Sequence, residues 1–285
     1  MKPYKLVELE QRSDKWFQWR KSKLTASDTP KIMGVSKWSS PYQLWLEKNG
    51  LYKQEDNESM RFGRENEEMI LGKVNDQLKS DLSPKVVEST LIDFMGASLD
   101  GLSSDGKIAC EIKCANRDDH SLARESKVPV HYFPQIQKQI FCLGVESILY
   151  VSFNNDDLYF FRVDRDDRFI EKMIEKEKEF YKNLINFIPP DLIDKDYERN
   201  DSDALYNQML EMDEIRVIEK NLATRKENLR DNIIKICNNR NTICRGYKIS
   251  KSIRKGAIDY SKIELLKGID LEPHRKAPIE TWRID

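Results

Sequence analysis

The chain has 285 residues, enough for one large domain or two of ordinary size. It carries 48 Lys+Arg against 49 Asp+Glu, a formal net charge of −1, and its 11 Phe, 11 Tyr and 5 Trp supply enough large apolar side chain for a core, which excludes a wholly disordered chain. No run of about 18 apolar residues and no signal-peptide pattern occurs, so neither a membrane span nor export is expected. Five Cys, an odd number without the spacing of a small disulfide scaffold, point to reduced, buried thiols in an intracellular protein.

In chain order, Trp16, Phe17, Trp19 and Leu24 cluster ahead of Thr25-Ala26-Ser27-Asp28, where Thr25 or Ser27 is placed to cap a helix through Pro30, Ile32 and Met33. A helix is predicted over Pro41–Lys48, closed by Asn49-Gly50, and another from about Met60 to Leu78, where Met60, Met69, Ile70, Val74 and Leu78 recur with a helical period. The texture then changes. Val86–Ile92 and Ile108–Lys113 read as strands, with a turn at Ser104-Asp105-Gly106 between them. A helix follows over Pro134–Cys142, then strands Ile148–Phe153 and Leu158–Val163, joined as a hairpin through residues 154–157.

After Asp164 the pattern is helical. Ile170, Met173, Ile174, Phe180, Tyr181, Leu184 and Ile188 have helical spacing, stopped by Pro189-Pro190. Leu205, Met212, Ile215, Leu222, Leu229, Ile233 and Ile236 follow a heptad frame over a helix of roughly 30 residues, about 45–50 Å long. Such a stripe requires a partner: the helix over 170–188, or another subunit. The tail from Gly246 mixes strand-like pieces with a helical turn at Tyr260–Lys267. The expected domains are therefore 1–188 and a helical extension over 189–285, ending in a small α/β tail.

Charge is segregated along this half. Asp156–Glu214 holds 9 Lys/Arg and 18 Asp/Glu, a net −9; Arg216–Lys255 holds 12 and 3, a net +9. The basic block is either a polyanion contact or a solvated helical face.

The stretch that carries chemistry is Ser98-Leu99-Asp100-Gly101 followed by Glu111-Ile112-Lys113. Alternate strand residues share a face, so Glu111 and Lys113 project together while Ile112 enters the core. Asp100, on a neighbouring strand, is within reach of that face. Two carboxylates this close repel each other unless a hard cation lies between them, and oxygen ligands suit Mg²⁺ or Mn²⁺. A lysine beside the ions can orient or deprotonate water, or neutralise charge on a phosphoryl oxygen. The pattern alone is weak; an exposed Glu–Lys pair on an edge strand would produce it too.

Asp100, Glu111 and Lys113 resemble the PD-(D/E)xK nuclease motif, and the chain is similar to the lambda exonuclease/YqaJ viral recombinase family of phage alkaline exonucleases. Four more segments carry the resemblance: Trp19-Arg20 with Leu24-Thr25-Ala26-Ser27, Phe62–Glu67 with its Gly63 and Glu67, Ser98-Leu99-Asp100-Gly101, and Tyr132–Gln137. It covers roughly residues 10–165. The resemblance implies an α/β (α+β) fold with a restriction-endonuclease-like core, a central mixed sheet flanked by helices. It implies Mg²⁺, with Mn²⁺ able to substitute, held by Glu67, Asp100, Glu111 and the Ile112 carbonyl. Asp100, Glu111 and Lys113 would be catalytic, and Arg20, Ser27, Ser98 and Gln135 would hold the 5′-phosphate. Glu65 competes with Glu67, and Gln137 with Gln135.

The implied activity is 5′-to-3′ digestion of one strand of double-stranded DNA from its ends, yielding 5′-phosphomononucleotides and 3′ overhangs for recombination. The implied partners are duplex DNA ends, a single-strand annealing protein and further copies of the chain in a ring-type homo-oligomer, with no membrane. The implied setting is the bacterial cytoplasm, the gene being carried by a phage or prophage. An endonuclease on the same fold and a non-catalytic DNA-binding module are the alternatives.

Overall fold

The computed structural model describes residues 2–53, 56–253, 256, 263 and 264. The chain divides into two compact units, Met1–Arg199 and Asn200–Asp285. The first contains β1 (Tyr4–Val7), α1 (Asp14–Ser22), β2 (Leu24–Thr25), α2 (Thr29–Ile32), α3 (Pro41–Asn49), α4 (Glu58–Leu78), β3 (Ser83–Ser89), β4 (Met95–Leu102), β5 (Ala109–Cys114), α5 (Arg117–Arg124), α6 (Phe133–Leu143), β6 (Ser147–Asn154), β7 (Asp157–Asp164) and α7 (Asp167–Ile185). The second contains α8 (Asp203–Ile236) and the hairpin β8 (Thr242–Cys244) and β9 (Tyr247–Ile249).

The strands of the first unit form one mixed seven-stranded sheet, ordered β1-β3-β4-β5-β6-β7, with β2 paired in parallel to β4. β5 and β6 run parallel, whereas β4 with β5 and β6 with β7 are antiparallel. Two parallel neighbours need a crossover, and α5 and α6 supply it. Side chains alternate along β5, so its two faces meet different helices. Ile112 and Cys110 join Ile70, Leu71 and Val74 of α4. On the other face, Ala109 lies with Ile136 and Ile140 of α6 and Ile170 and Met173 of α7.

Helix ends follow local chemistry. The Asn57 side chain caps α4, and Ser40 with Gln43 forms a reciprocal capping box on α3, which Gly50 closes at φ +73°. The expected cap of α2 is corrected: the N-cap is Asp28, not Thr25 or Ser27. The Asp28 carboxylate makes no cap bond because it accepts from Thr25 N–H and hydroxyl and pairs with Lys48 at 2.6 Å. The strand expected over Val86–Ile92 ends at Ser89, whose hydroxyl accepts the N–H groups of Leu91 and Ile92 and turns the chain.

Residues 189–199 belong with the first unit, where Lys195 donates to the Ser36 carbonyl and the Ser40 hydroxyl to Asp196. Of the thiols, only Cys110 and Cys142 are buried; Cys114 and Cys237 are partly exposed and Cys244 fully so, which corrects the expectation that all would be buried. The helical turn expected at Tyr260–Lys267 lies outside the described residues, Ile263 and Glu264 apart. No described helix is long and apolar enough to cross a membrane.

A wholly buried ion pair joins α6 to α7: Lys138 donates to Glu177, which also accepts from the Thr29 hydroxyl at 2.7 Å. Removing one partner strands the other charge in the core. Lys138→Met is expected to lower stability by about 3–5 kcal/mol in urea unfolding, and adding Glu177→Leu should recover most of that loss.

Candidate active site

The site forms where two strands part. The β4–β5 ladder runs through Leu102–Ala109 and Gly101–Cys110 and goes no further. Beyond it the Ile112 N–H lies outside the β4–β5 ladder, and the side-chain carboxylate of Asp100, on β4, takes it at 2.7 Å. Gly101 allows the close approach at this point, since a Cβ there would stand 2.7 Å from the Cys110 sulfur and 3.0 Å from Leu71 and Leu82.

Glu111 lies one strand position away on an interior strand and is only 2% exposed. The reading as an exposed pair on an edge strand is thereby overturned. Its Oε1 accepts from Lys113 Nζ at 2.5 Å and from the Gln135 amide, and its Oε2 accepts from the Gln139 amide. Gln135 and Gln139 stand one turn apart on α6 and reach the same carboxylate. Gln137 points elsewhere: its amide donates to the Asp164 carbonyl and its oxygen accepts the Asp166 N–H, tying α6 to the start of α7. Gln139 was not foreseen, although its spacing of four from Gln135 on a helix is a readable signal.

Charge in this pocket is strongly coupled. Burial, together with the Glu111 and Glu67 carboxylates, pushes Asp100 well above the usual carboxylate range, against the pull of Lys113. Burial works against the Lys113 ammonium, but Glu111 and Asp100 more than offset it, so its pKa is raised and it stays charged. The ammonium also lies over the Tyr132 ring, 5.2 Å from its centroid. Of the two α4 glutamates that compete for this place, Glu67 is half-buried, acts on Asp100 and pairs with Arg12, whereas Glu65 is exposed.

The phosphate-side residues adjoin this centre in a chain of contacts. Arg20 donates to the Ser27 hydroxyl at 2.6 Å and stacks on Trp16, 4.7 Å from guanidinium to ring. The Trp16 indole N–H donates to the Ser98 hydroxyl at 3.0 Å, and the Ser98 carbonyl accepts from Gln139 at 3.3 Å. Arg20, Ser27, Ser98, Glu111 and Lys113 are thus linked through Trp16 and Gln139, two residues the motif reading did not include.

A divalent cation fits this donor set. Asp100, Glu111, Glu67 and the Ile112 carbonyl offer oxygen only, the chemistry of Mg²⁺ or Mn²⁺ and not of zinc. The raised Asp100 is what a positive charge in the fork would reverse. Among the described residues no three His, Cys, Asp or Glu side chains stand together as a ready cage. Glu67 is held by Arg12, and both Glu111 oxygens are engaged by ammonium and amide donors. An ion entering here exchanges places with these donors.

Comparison with known proteins agrees with this geometry. Residues 15–146 match the YqaJ-like viral recombinase domain. The uncharacterized protein YqaJ of Bacillus subtilis (strain 168) is 23% identical over 183 residues, a match covering 62% of this chain and 57% of that protein's length. An alkaline exonuclease from Laribacter hongkongensis superposes with a TM-score of 0.53 at 25% identity, covering 61% of this chain and 93% of that one. The structure of that enzyme in complex with dAMP superposes equally, at 24% identity. Sheet order, the fork at Asp100 and these likenesses converge: residues 15–146 of the first unit match the YqaJ-like viral recombinase domain, and the first unit has the restriction-endonuclease-like fold of phage-type exonucleases.

Proposed function

We propose that the chain is a Mg²⁺-dependent exonuclease that degrades one strand of duplex DNA from a 5′ end to 5′-phosphomononucleotides. It leaves a 3′ overhang for a single-strand annealing protein in phage-type recombination. The observation that carries this reading is the buried Glu111, fixed between Lys113, Gln135 and Gln139 beside an Asp100 whose charge needs compensation. Asp100 satisfies the Ile112 N–H, but the sheet interior has no structural use for a second buried carboxylate, Glu111, beside it. The Laribacter protein's activity as an alkaline exonuclease supports the same chemistry.

Asp100, Glu111, Glu67 and the Ile112 carbonyl oxygen would hold the ion, which when bound supplies Lewis-acid activation of the phosphate and a more acidic water. The remaining roles fall to the chain's own side chains. Gln135 and Gln139 keep the Glu111 carboxylate oriented. Lys113, as an ammonium, neutralises charge growing on the phosphoryl oxygens. Arg20 offers a fork of N–H donors to a terminal phosphate, with Ser27 and Ser98 as hydroxyl donors beside it, and stacking on Trp16 fixes the plane of the fork.

Digestion of a linear duplex bearing 5′-phosphate or 5′-hydroxyl, with both strands sized, tests the activity and its polarity. Each strand should be shortened from its own 5′ end with its 3′ end retained, whereas no shortening of either strand with Mg²⁺ or Mn²⁺ refutes the reading. A covalently closed circle should stay intact; cutting it would favour the endonuclease alternative.

Glu111→Ala should reduce kcat by about 10²–10³-fold or more while DNA binding persists. Gln139→Ala is expected to lower kcat about 10–100-fold through the loosened Glu111, a loss that Gln139→Glu should not restore. Gln137→Ala should instead lower the unfolding midpoint, because its bonds join α6 to α7. DNA affinity should fall steeply with salt, and Arg20→Ala should reduce the log–log slope by about 0.9.

A further inference from the structure

The second unit contains a helix whose apolar side chains are exposed. α8 runs for 34 residues, about 50 Å, and none of its residues is buried. The heptad residues Leu205, Met212, Ile215, Leu222, Leu229, Ile233 and Ile236 are all between 38% and 80% exposed. A stripe of this length left in water is a binding surface.

Its charge pattern says what binds. The first part, Asp203–Ile215, carries Asp203, Glu211, Asp213 and Glu214 and no basic residue; the remainder, Arg216–Ile236, carries six basic residues against three acidic ones. Near the basic end, α8 and the chain around Ile249 border a groove of about 940 Å³. Its apolar lining includes Leu222, Leu229 and Ile233, its cationic lining includes Arg225, Arg230, Arg240 and Lys251, and among the described residues that line it there is no carboxylate. An amphipathic acidic helix complements that surface in both apolarity and charge. The acidic, apolar first half of α8 is such a helix.

We propose that α8 pairs antiparallel with α8 of a second copy of this chain, each copy's acidic half lying along the other's basic half. Two positions of the stripe fix the direction. The heptad frame is interrupted at Gln208, Glu219 and Lys226, the last two seven residues apart and of opposite sign. Parallel pairing in register sets Glu219 against Glu219 and Lys226 against Lys226, like charges at an apolar seam. Antiparallel pairing centred on Thr224 sets Glu219 level with Leu229 of the second copy, one layer from its Lys226, and the same centre sets Ile215 level with Ile233 and Met212 level with Ile236. Opposed helix dipoles favour that direction as well.

Sedimentation equilibrium of the full chain at micromolar concentration tests this. The wild-type particle should have a greater mass than a Leu222→Asp/Leu229→Asp variant, by a factor of two if the first unit is monomeric. Because these substitutions disturb the helix face itself, charge variants give a second reading. Lys226→Glu, which sets Glu one layer from Glu, should raise the dissociation constant about tenfold or more. Glu219→Lys together with Lys226→Glu should restore it, which parallel pairing does not allow. Wild-type mass equal to that of the Leu variant overturns the proposal, and so does failure of the double charge variant to restore pairing. Loss of DNA binding in the Leu variant without a change of mass also overturns it, assigning the face to nucleic acid instead.

Discussion

The first unit turns on a backbone hydrogen bond that a side chain has taken over. Where the β4–β5 ladder stops, the Ile112 N–H would be a buried donor without a partner, and the Asp100 carboxylate supplies one. That single contact draws a carboxylate into the sheet interior beside Glu111, and the electrostatics of the pocket follow from it. Two acids in one dry place drive Asp100 upward, and the same field holds Lys113 charged. The amides of α6 complete the arrangement without adding charge. Neutral donors are suited to this position, since a second cation would compensate the acids permanently and leave no electrostatic reason for a divalent ion to enter.

The surrounding fold serves that junction. β5 is interior, so Glu111 is held by its pairing with Tyr150 of β6 just where the β4 side opens, and the alternation of β5 sends Ile112 into the α4 cluster while Glu111 and Lys113 meet α6. α6 is itself anchored beneath by the Lys138–Glu177 pair and at its flank by Gln137. Three polar side chains at spacing two along α6, Gln135, Gln137 and Gln139, therefore divide between a chemical task and a structural one. The second unit is built on a different principle: none of the residues of its long helix is buried, and its apolar stripe and divided charge lie exposed along it.

Much of this was readable from residue order. The helices over α3, α4, α6, α7 and α8 and the β6–β7 hairpin announce themselves by periodicity, capping residues and turn dipeptides, because those signals act within a few residues of the chain. β1, β2 and α5 were not foreseen. The strands are four and two residues long, too short for a pattern, and α5 buries only one apolar side chain, Ala123, so its hydrophobic spacing is nearly silent. The acids and lysine of the motif were legible as residue types at a recurring spacing. The roles of Trp16, Arg12 and Gln139 were not, because each acts on a residue far away in sequence: Ser98, Glu67 and Glu111.

The amino-acid sequence by itself therefore determined the long helices and the β6–β7 hairpin, which carboxylates and lysine belong to one motif, and that the charge of the C-terminal third is split into opposite halves. Only the tertiary structure decided that Glu111 is buried on an interior strand, that Gln139 and not Gln137 shares its carboxylate, and that Glu67 and not Glu65 acts on Asp100. The physical reason is one of range. Propensity and capping are local properties of the chain, whereas burial and the field at a carboxylate are sums over neighbours that only folding brings together.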